Sequence, residues 1–319
     1  NTPRTRRVCS SASTSSKPKS LVFCISLMER TIAEAIGKGY LFAMPELPEV
    51  ETVRRGLATV LDGARLSNVV LRRRTLRVPI PDDFEARLVG QRIVRLGRRA
   101  KYLLIELEDG TIVIAHLGMS GRMKIHRGEP GEPGPHDHAD FVTEAGVTVR
   151  FTDPRRFGLL LLTTVAEIDE HKLIRDLGPD PLGNDFNAVV LAQALAGRAT
   201  PLKAALLDQK TVAGLGNIYV CESLFRAGLS PKRLARTLTP KHAEALAAAI
   251  RTVLADAVAA GGTTLRDHIS PDGELGYFTQ SLTVYGREGE ACPGCDCKKT
   301  IRRIVQSGRS TFYCPSRQR

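Results

Sequence analysis

The stretch Met44-Pro45-Glu46-Leu47-Pro48-Glu49-Val50-Glu51-Thr52 decides how the rest of this 319-residue chain is read. Behind its two prolines, Val50, Val53, Leu57, Val60 and Leu61 recur at helical spacing, which predicts a helix over residues 50–61 closed by Asp62-Gly63. The chemistry of the stretch turns on where the working chain begins. Inside a chain the nitrogen of Pro45 is an amide and inert. As a first residue Pro45 carries a secondary amine with a pKa near 8, roughly two units below that of a lysine, so much more of it is unprotonated at neutral pH. Condensed with an aldehyde carbon, such an amine gives an iminium that is cationic without a proton, and therefore an electron sink. Glu46 stands beside it as a carboxyl able to handle protons.

Working outward, the formal charge of +12 points to a polyanionic partner, nucleic acid ahead of a membrane surface. No apolar run approaches the roughly 18 residues of a spanning helix. Of seven cysteines, Cys292, Cys295, Cys297 and Cys314 crowd into the carboxyl end, which favours a metal knuckle in a reducing compartment over disulfide staples. Residues 1–43 are expected to lie outside the fold and outside the mature chain. Up to Met28 they carry Arg4, Arg6, Arg7, Lys17 and Lys19, many serines and no acid. That composition suits an organellar transit peptide, or upstream sequence translated with the gene.

After the first helix come short β-rich runs at residues 64–71, 92–96, 102–106, 111–116, 147–151 and 159–163. Glu108-Asp109-Gly110 joins two of them as a hairpin signal, and residues 128–135 form a polar Gly/Pro loop. Strands this short and this regularly spaced predict a β-sandwich. Near residues 177–182 the pattern turns helical, over residues 187–196, 201–208, 218–227 and 240–260. The last has Thr239 as N-cap, Pro240 at its first position and Gly261-Gly262 at its end. The expected fold class is α+β and multidomain, with a sandwich and flanking helices over 44–177, a helical domain over 178–280 and a cysteine segment over 281–319.

Several motifs read two ways on their residues alone. Lys101, in Arg98-Arg99-Ala100-Lys101-Tyr102, reads as a solvated charge at a strand end. His116-Leu117-Gly118-Met119-Ser120-Gly121 ends a strand with small residues, where a backbone can approach a ligand. Arg155-Arg156-Phe157 reads as surface charge over a small hydrophobe, and His136-Asp137-His138 lacks the third partner that a metal site needs. Gly214-Leu215-Gly216-Asn217 opens a helix whose first amides could receive a phosphate.

Taken together, MPELPEVETVRRGL and these separate motifs, in order from Met44 to the last residues, resemble the bacterial formamidopyrimidine-DNA glycosylase family, the base-excision enzymes for oxidised purines. The resemblance implies a helix–two-turn–helix DNA module in 178–280, a zinc-finger-like hairpin in 281–319 and a lesion-facing loop at 263–277. It implies Pro45 as Schiff-base nucleophile, Glu46 as proton-handling carboxyl, and Lys101 and Arg309 as aids to departing groups. Met119, Arg155 and Phe157 would fill the void left by an everted nucleotide, where a planar Arg and two apolar side chains replace lost pairing and stacking. His136, Lys203 and Asn217 would contact the DNA backbone. The expected partner is duplex DNA carrying oxidised purines or abasic sites, bound by a monomer in a bacterial cytoplasm.

The family's zinc ribbon closes with Cys-x2-Cys, but here Cys314-Pro315-Ser316 is followed by Arg317, which cannot replace a thiolate. Zinc held by Cys292, Cys295, Cys297 and Cys314, with Cys295 filling the gap, stands against a three-thiolate or metal-free finger. Two further readings stay open: a glycosylase of the endonuclease VIII branch for oxidised pyrimidines, and a non-catalytic DNA-binding protein should Pro45 remain an amide.

Overall fold

The computed structural model of the chain describes residues 44–263 and 278–319. The 1–43 extension and, Thr263 apart, the expected lesion-facing loop lie outside the described residues.

The first helix, α1, runs Leu47–Leu61, three residues earlier than apolar spacing alone predicts. Proline is tolerated in a first turn, and Glu46 and Glu49 form a capping box in which the Glu49 carboxylate accepts the Glu46 amide at 3.0 Å. Two four-stranded antiparallel sheets follow, built from β1 (Leu66–Leu71), β2 (Ile93–Arg99), β3 (Tyr102–Leu107), β4 (Thr111–His116), β5 (Arg122–Arg127), β6 (Asp137–Thr143), β7 (Val147–Thr152) and β8 (Leu159–Thr164). One sheet has the order β1-β6-β7-β5 and the other β2-β3-β4-β8. A short helix, α2 (Phe84–Leu88), covers one end. Inward faces of both sheets meet one stripe of α1: Val53, Leu57 and Leu61 pack with Leu103, Val113, Phe141 and Phe151 in a single core.

Sequence patterning predicts no strand at β5 or β6. β5 reads Arg-Met-Lys-Ile-His-Arg, an edge strand with few apolar residues to alternate. In β6 only Ala139 and Phe141 face the core, and the buried charge of Asp140 alternates with them on the other face of the sheet. Asp140 lies opposite Arg150 of β7 and accepts two bonds from its guanidinium at 2.9 Å, with Arg72 as a third donor.

The second half is helical: α3 (Ala188–Leu195), α4 (Leu202–Leu207), α5 (Asn217–Arg226) and α6 (Pro240–Ala259). Asn187 and Thr239 cap α3 and α6 as their side chains suggest. The carboxyl end is a hairpin of β9 (Arg302–Gln306) and β10 (Arg309–Tyr313). Its two-residue turn, Ser307-Gly308, has φ of +50° and +70°, the combination that matches strand twist. These parts share a second core, in which Leu215, Tyr219 and Leu224 meet Ile250 and Leu254 of α6 and Ile301 and Phe312 of the hairpin. Leu47 belongs to this second core although the rest of α1 serves the first. The start of α1 is therefore wedged between the two halves, and Pro45 and Glu46 lie at their junction.

Glu222 on α5 ties the hairpin segment to the helices. Its buried carboxylate accepts the amides of Thr283, Val284 and Tyr285 at 2.9, 2.9 and 2.8 Å, and the Thr283 hydroxyl as well. Glu222→Ala leaves those amides without their acceptor and is expected to destabilise the protein by about 3 kcal/mol or more. A urea unfolding midpoint equal to that of the parent chain would refute this role.

Candidate active site and nucleic-acid interface

A cavity of about 360 Å³ opens where the halves meet, lined by Met44, Arg77, Lys101, His116, Gly216 and Arg309 among others. Pro45 is buried next to Met44, and it is Met44 that lines the cavity. Glu46, 3% exposed, reaches across the junction to the start of α5 and accepts the amides of Ile218 at 3.0 Å and Tyr219 at 3.4 Å. The glycines of Gly214-Leu215-Gly216-Asn217 make that approach possible. A Cβ on Gly216 would fall 2.2 Å from the Glu46 carboxyl carbon, and one on Gly214 would fall 2.7 Å from the Leu47 side chain. The helix N-terminus that the sequence offers to a phosphate is thus filled by a carboxylate of the chain itself.

Burial pushes the Glu46 pKa up to about 7; the nearby Lys101 opposes this, and Glu49 adds to it. Glu49 anchors the same corner, accepting the Glu46 amide, the Tyr219 hydroxyl, and the amide and hydroxyl of Thr263. Lys101 sits in the two-residue turn between β2 and β3 and is 8% exposed. Burial lowers its pKa against the pull of Glu46, with Arg309 assisting the depression. His116, at the end of β4, accepts the Gly118 amide on Nδ1 at 2.9 Å, and burial together with Lys101 and Arg77 takes its pKa down to about 4. It is a neutral imidazole at pH 7, its Nε2 carrying the proton. Arg309 enters the cavity from the exposed first position of β10.

The candidate void-filling residues lie on two adjoining loops. Met119 is half-buried, while Arg155 and Phe157 are exposed, the guanidinium 5.0 Å from the ring centroid. Buried Asp153 joins the loops, accepting the Ser120 hydroxyl at 2.6 Å and the Gly158 amide at 2.8 Å, and Ser120 in turn accepts the Arg155 amide at 3.1 Å. The His-Asp-His run separates: His136 faces solvent, whereas His138 is buried in β6, its Nε2 2.8 Å from the Asp153 carbonyl oxygen. Lys203 and Asn217 are buried rather than presented to solvent. Both donate to the carbonyl of Ser310, at 3.0 and 2.9 Å, beside Arg309, and Lys203 also donates to the Thr311 hydroxyl.

The sulfur atoms of Cys292, Cys295, Cys297 and Cys314 all lie within 4.8 Å of one another. Separations of 3.4 Å for Cys292–Cys295 and 3.8 Å for Cys295–Cys314 and Cys297–Cys314 suit a tetrahedral ion, since Zn–S bonds of about 2.3 Å put thiolates roughly 3.8 Å apart. The Cys295–Cys297 pair is closer, at 2.8 Å. Arg317 takes another role, donating to the carbonyls of Gly294 at 2.7 Å and Phe225 at 3.2 Å and lying over the Phe225 ring. It closes the last turn of α5 and holds the cysteine loop against it.

Two antiparallel sheets joined to a helical unit, with a cavity lined by Arg77, Lys101 and Arg309 at the junction, define the class of molecule. Residues 44–160 match the formamidopyrimidine-DNA glycosylase N-terminal domain, and residues 177–268 match the formamidopyrimidine-DNA glycosylase H2TH domain. The chain belongs to the formamidopyrimidine-DNA glycosylase family. It is 58% identical to the enzyme of that name from Rhodospirillum centenum over 290 residues, covering 86% of this chain and all of the relative, and 57% identical to that from Rhodospirillum rubrum. Among solved structures it superposes on the MutM (Fpg) protein of Thermus thermophilus with a TM-score of 0.76 at 44% identity, over 86% of this chain and 98% of the other. Lactococcus lactis Fpg bound to DNA containing an abasic site gives 0.78 at 31%, over 86% and 99%.

Sequence reading assigned no role to Glu49, Arg77, Asp153 or Tyr219. Glu49 lies in the opening stretch and Asp153 just ahead of Arg155, but buried carboxylates serving as acceptors leave no spacing signal. Arg77 and Tyr219 reach the site only through the packing of distant segments.

Proposed function

We propose that the chain is a bifunctional DNA glycosylase and abasic-site lyase that removes oxidised purines, 8-oxoguanine and formamidopyrimidines, from duplex DNA by extruding the damaged nucleotide. The observation that carries this is the junction cavity, where the neighbourhood of Pro45 meets Lys101 and Arg309 in front of a carboxyl poised at about 7. With Pro45 as first residue, its nitrogen attacks the anomeric carbon, the C–N bond to the base breaks, and Glu46 supplies a proton during sugar opening and base loss. The resulting iminium acidifies the adjacent C–H. Loss of that C2′ proton expels the 3′ phosphate, and loss of a second proton, from C4′ of the resulting conjugated iminium, expels the 5′ phosphate, with Lys101 and Arg309 assisting the departing groups. Met119, Arg155 and Phe157 occupy the vacated stack, and His136, Lys203 and Asn217 serve the backbone. For Lys203 and Asn217 this means exchanging the Ser310 carbonyl for a phosphate, or gripping DNA through the hairpin they hold. One chain supplies every group named, so a monomer suffices, and the bacterial cytoplasm is the compartment this reading implies. Nicking of 8-oxoguanine and formamidopyrimidine duplexes well ahead of thymine glycol duplexes is the expected result; the reverse order would overturn the substrate class.

We further propose that Cys292, Cys295, Cys297 and Cys314 hold zinc, which would cross-link the cysteine loop to the end of β10. Cys295 supplies the thiolate that Arg317 cannot. Elemental analysis of purified protein is expected to give about one zinc per chain, and little in a Cys295→Ser variant. A ratio near zero in the parent chain would reject the site.

A further inference from the structure

We propose that Arg98 and Arg99 form a clamp between the sandwich and the helical half that fixes the turn aiming Lys101 into the cavity; they are positioning residues for that lysine. The inference rests on the role assigned to Lys101 above.

The turn has two residues, Ala100 and Lys101, between the paired Arg99 and Tyr102. Ala100 is buried and has φ +53°, a conformation that glycine takes freely and an L side chain resists. Something must hold it there. Arg98 donates to the Ala100 carbonyl at 3.0 Å, and the same guanidinium grips Asp180 of the helical half at 2.8 Å and Glu51 of α1 at 3.0 Å. Arg99 donates to the carbonyls of Leu177 and Gly178 at 2.9 and 2.7 Å. Two consecutive arginines thus bind the turn to the segment that links the halves, immediately before the residue that enters the cavity. The Arg98 side chain is only 9% exposed, so these bonds are shielded from competing water.

Removing Arg98 strands neither of its acidic partners. Glu51 keeps Arg54 and Arg55, and Asp180 keeps the Leu182 amide, so an Arg98→Met variant is expected to fold. The experiment uses chains beginning at Pro45 and measures two rates on an abasic duplex, Schiff-base formation by borohydride trapping and strand cleavage by β-elimination, for Arg98→Met, Lys101→Met and Arg98→Met with Ala100→Gly. Lys101→Met is expected to slow cleavage, and Arg98→Met to slow it on the order of 10- to 100-fold while trapping changes little, because a displacement of about 1 Å suffices for such a loss. Adding Ala100→Gly removes the backbone's drive to leave the turn and should restore much of the cleavage rate. Normal cleavage by Arg98→Met, trapping that falls in step with cleavage, or no recovery with Ala100→Gly would each overturn the clamp. Normal cleavage by Lys101→Met would overturn the reading of Lys101 itself, and the clamp with it.

Discussion

A chain in which any residue stays joined ahead of Pro45 is expected to lose excision of oxidised purines by on the order of 10⁴-fold or more against a chain beginning at Pro45, the scale seen when a covalent nucleophile is removed from a cooperating set. The reason is electronic. An amide nitrogen has its lone pair committed to the carbonyl, so neither the bond to the sugar nor the iminium sink can form. Met44 lines the cavity that the sugar must enter, so it obstructs the site as well as capping the nitrogen. Single-turnover excision by the two chains, with duplex affinity measured in parallel, checks this. Binding is expected to persist in the blocked chain, because the loops bearing Met119, Arg155 and Phe157 do not line that cavity. Equal excision by both would remove the nucleophile from the account.

The second large effect belongs to Glu46. Glu46→Gln is expected to slow base excision by roughly 10²- to 10⁴-fold, the usual worth of a positioned acid or base. Its pH dependence has a definite sign. Glu46 donates only while protonated and Pro45 attacks only while unprotonated, so excision by the parent chain should peak between about 7 and about 8, with Glu46 supplying the fall on the alkaline side. The same shift works on stability. The folded pKa lies above the ordinary 4.5, so the folded chain holds a proton that the unfolded chain releases. Stability is therefore undiminished below about 4.5, declines as pH climbs, and above about 7 has lost on the order of 3 kcal/mol. Glutamine carries no charge to bury, so the variant should unfold at a higher temperature than the parent at pH 8 while losing activity. A lower melting temperature at pH 8 together with an equal one at pH 5 would contradict the assigned burial cost.

Local signals carried much of the architecture. α1 and α6 announced themselves by apolar spacing and caps, and β3, β4 and their hairpin by an Asp-Gly step between apolar runs. β5 and β6 did not, because one is a polar edge and the other buries Asp140 against Arg150 on the face away from the core, a pairing invisible until the strands are aligned. Pro45 and Glu46 could be singled out as candidates because the chemistry proposed for them is adjacent in sequence. The setting that tunes Glu46 could not, for the amides of Ile218 and Tyr219 lie more than 170 residues away. Lys203 shows the same limit: its charge was plain, but its buried bond to Ser310 spans 107 residues. At the carboxyl end the missing cysteine was obvious, whereas the use of Arg317 to seal α5 needed the docked hairpin.

Borohydride trapping of a chain beginning at Pro45 on an abasic or 8-oxoguanine duplex, followed by peptide mass spectrometry of the adduct, bears most directly on the chemistry. The account predicts one covalent DNA adduct, carried by the amino-terminal peptide on the nitrogen of Pro45. Adduct mapped instead to Lys101 or Lys203, or strand cleavage with no trapped species, would contradict it.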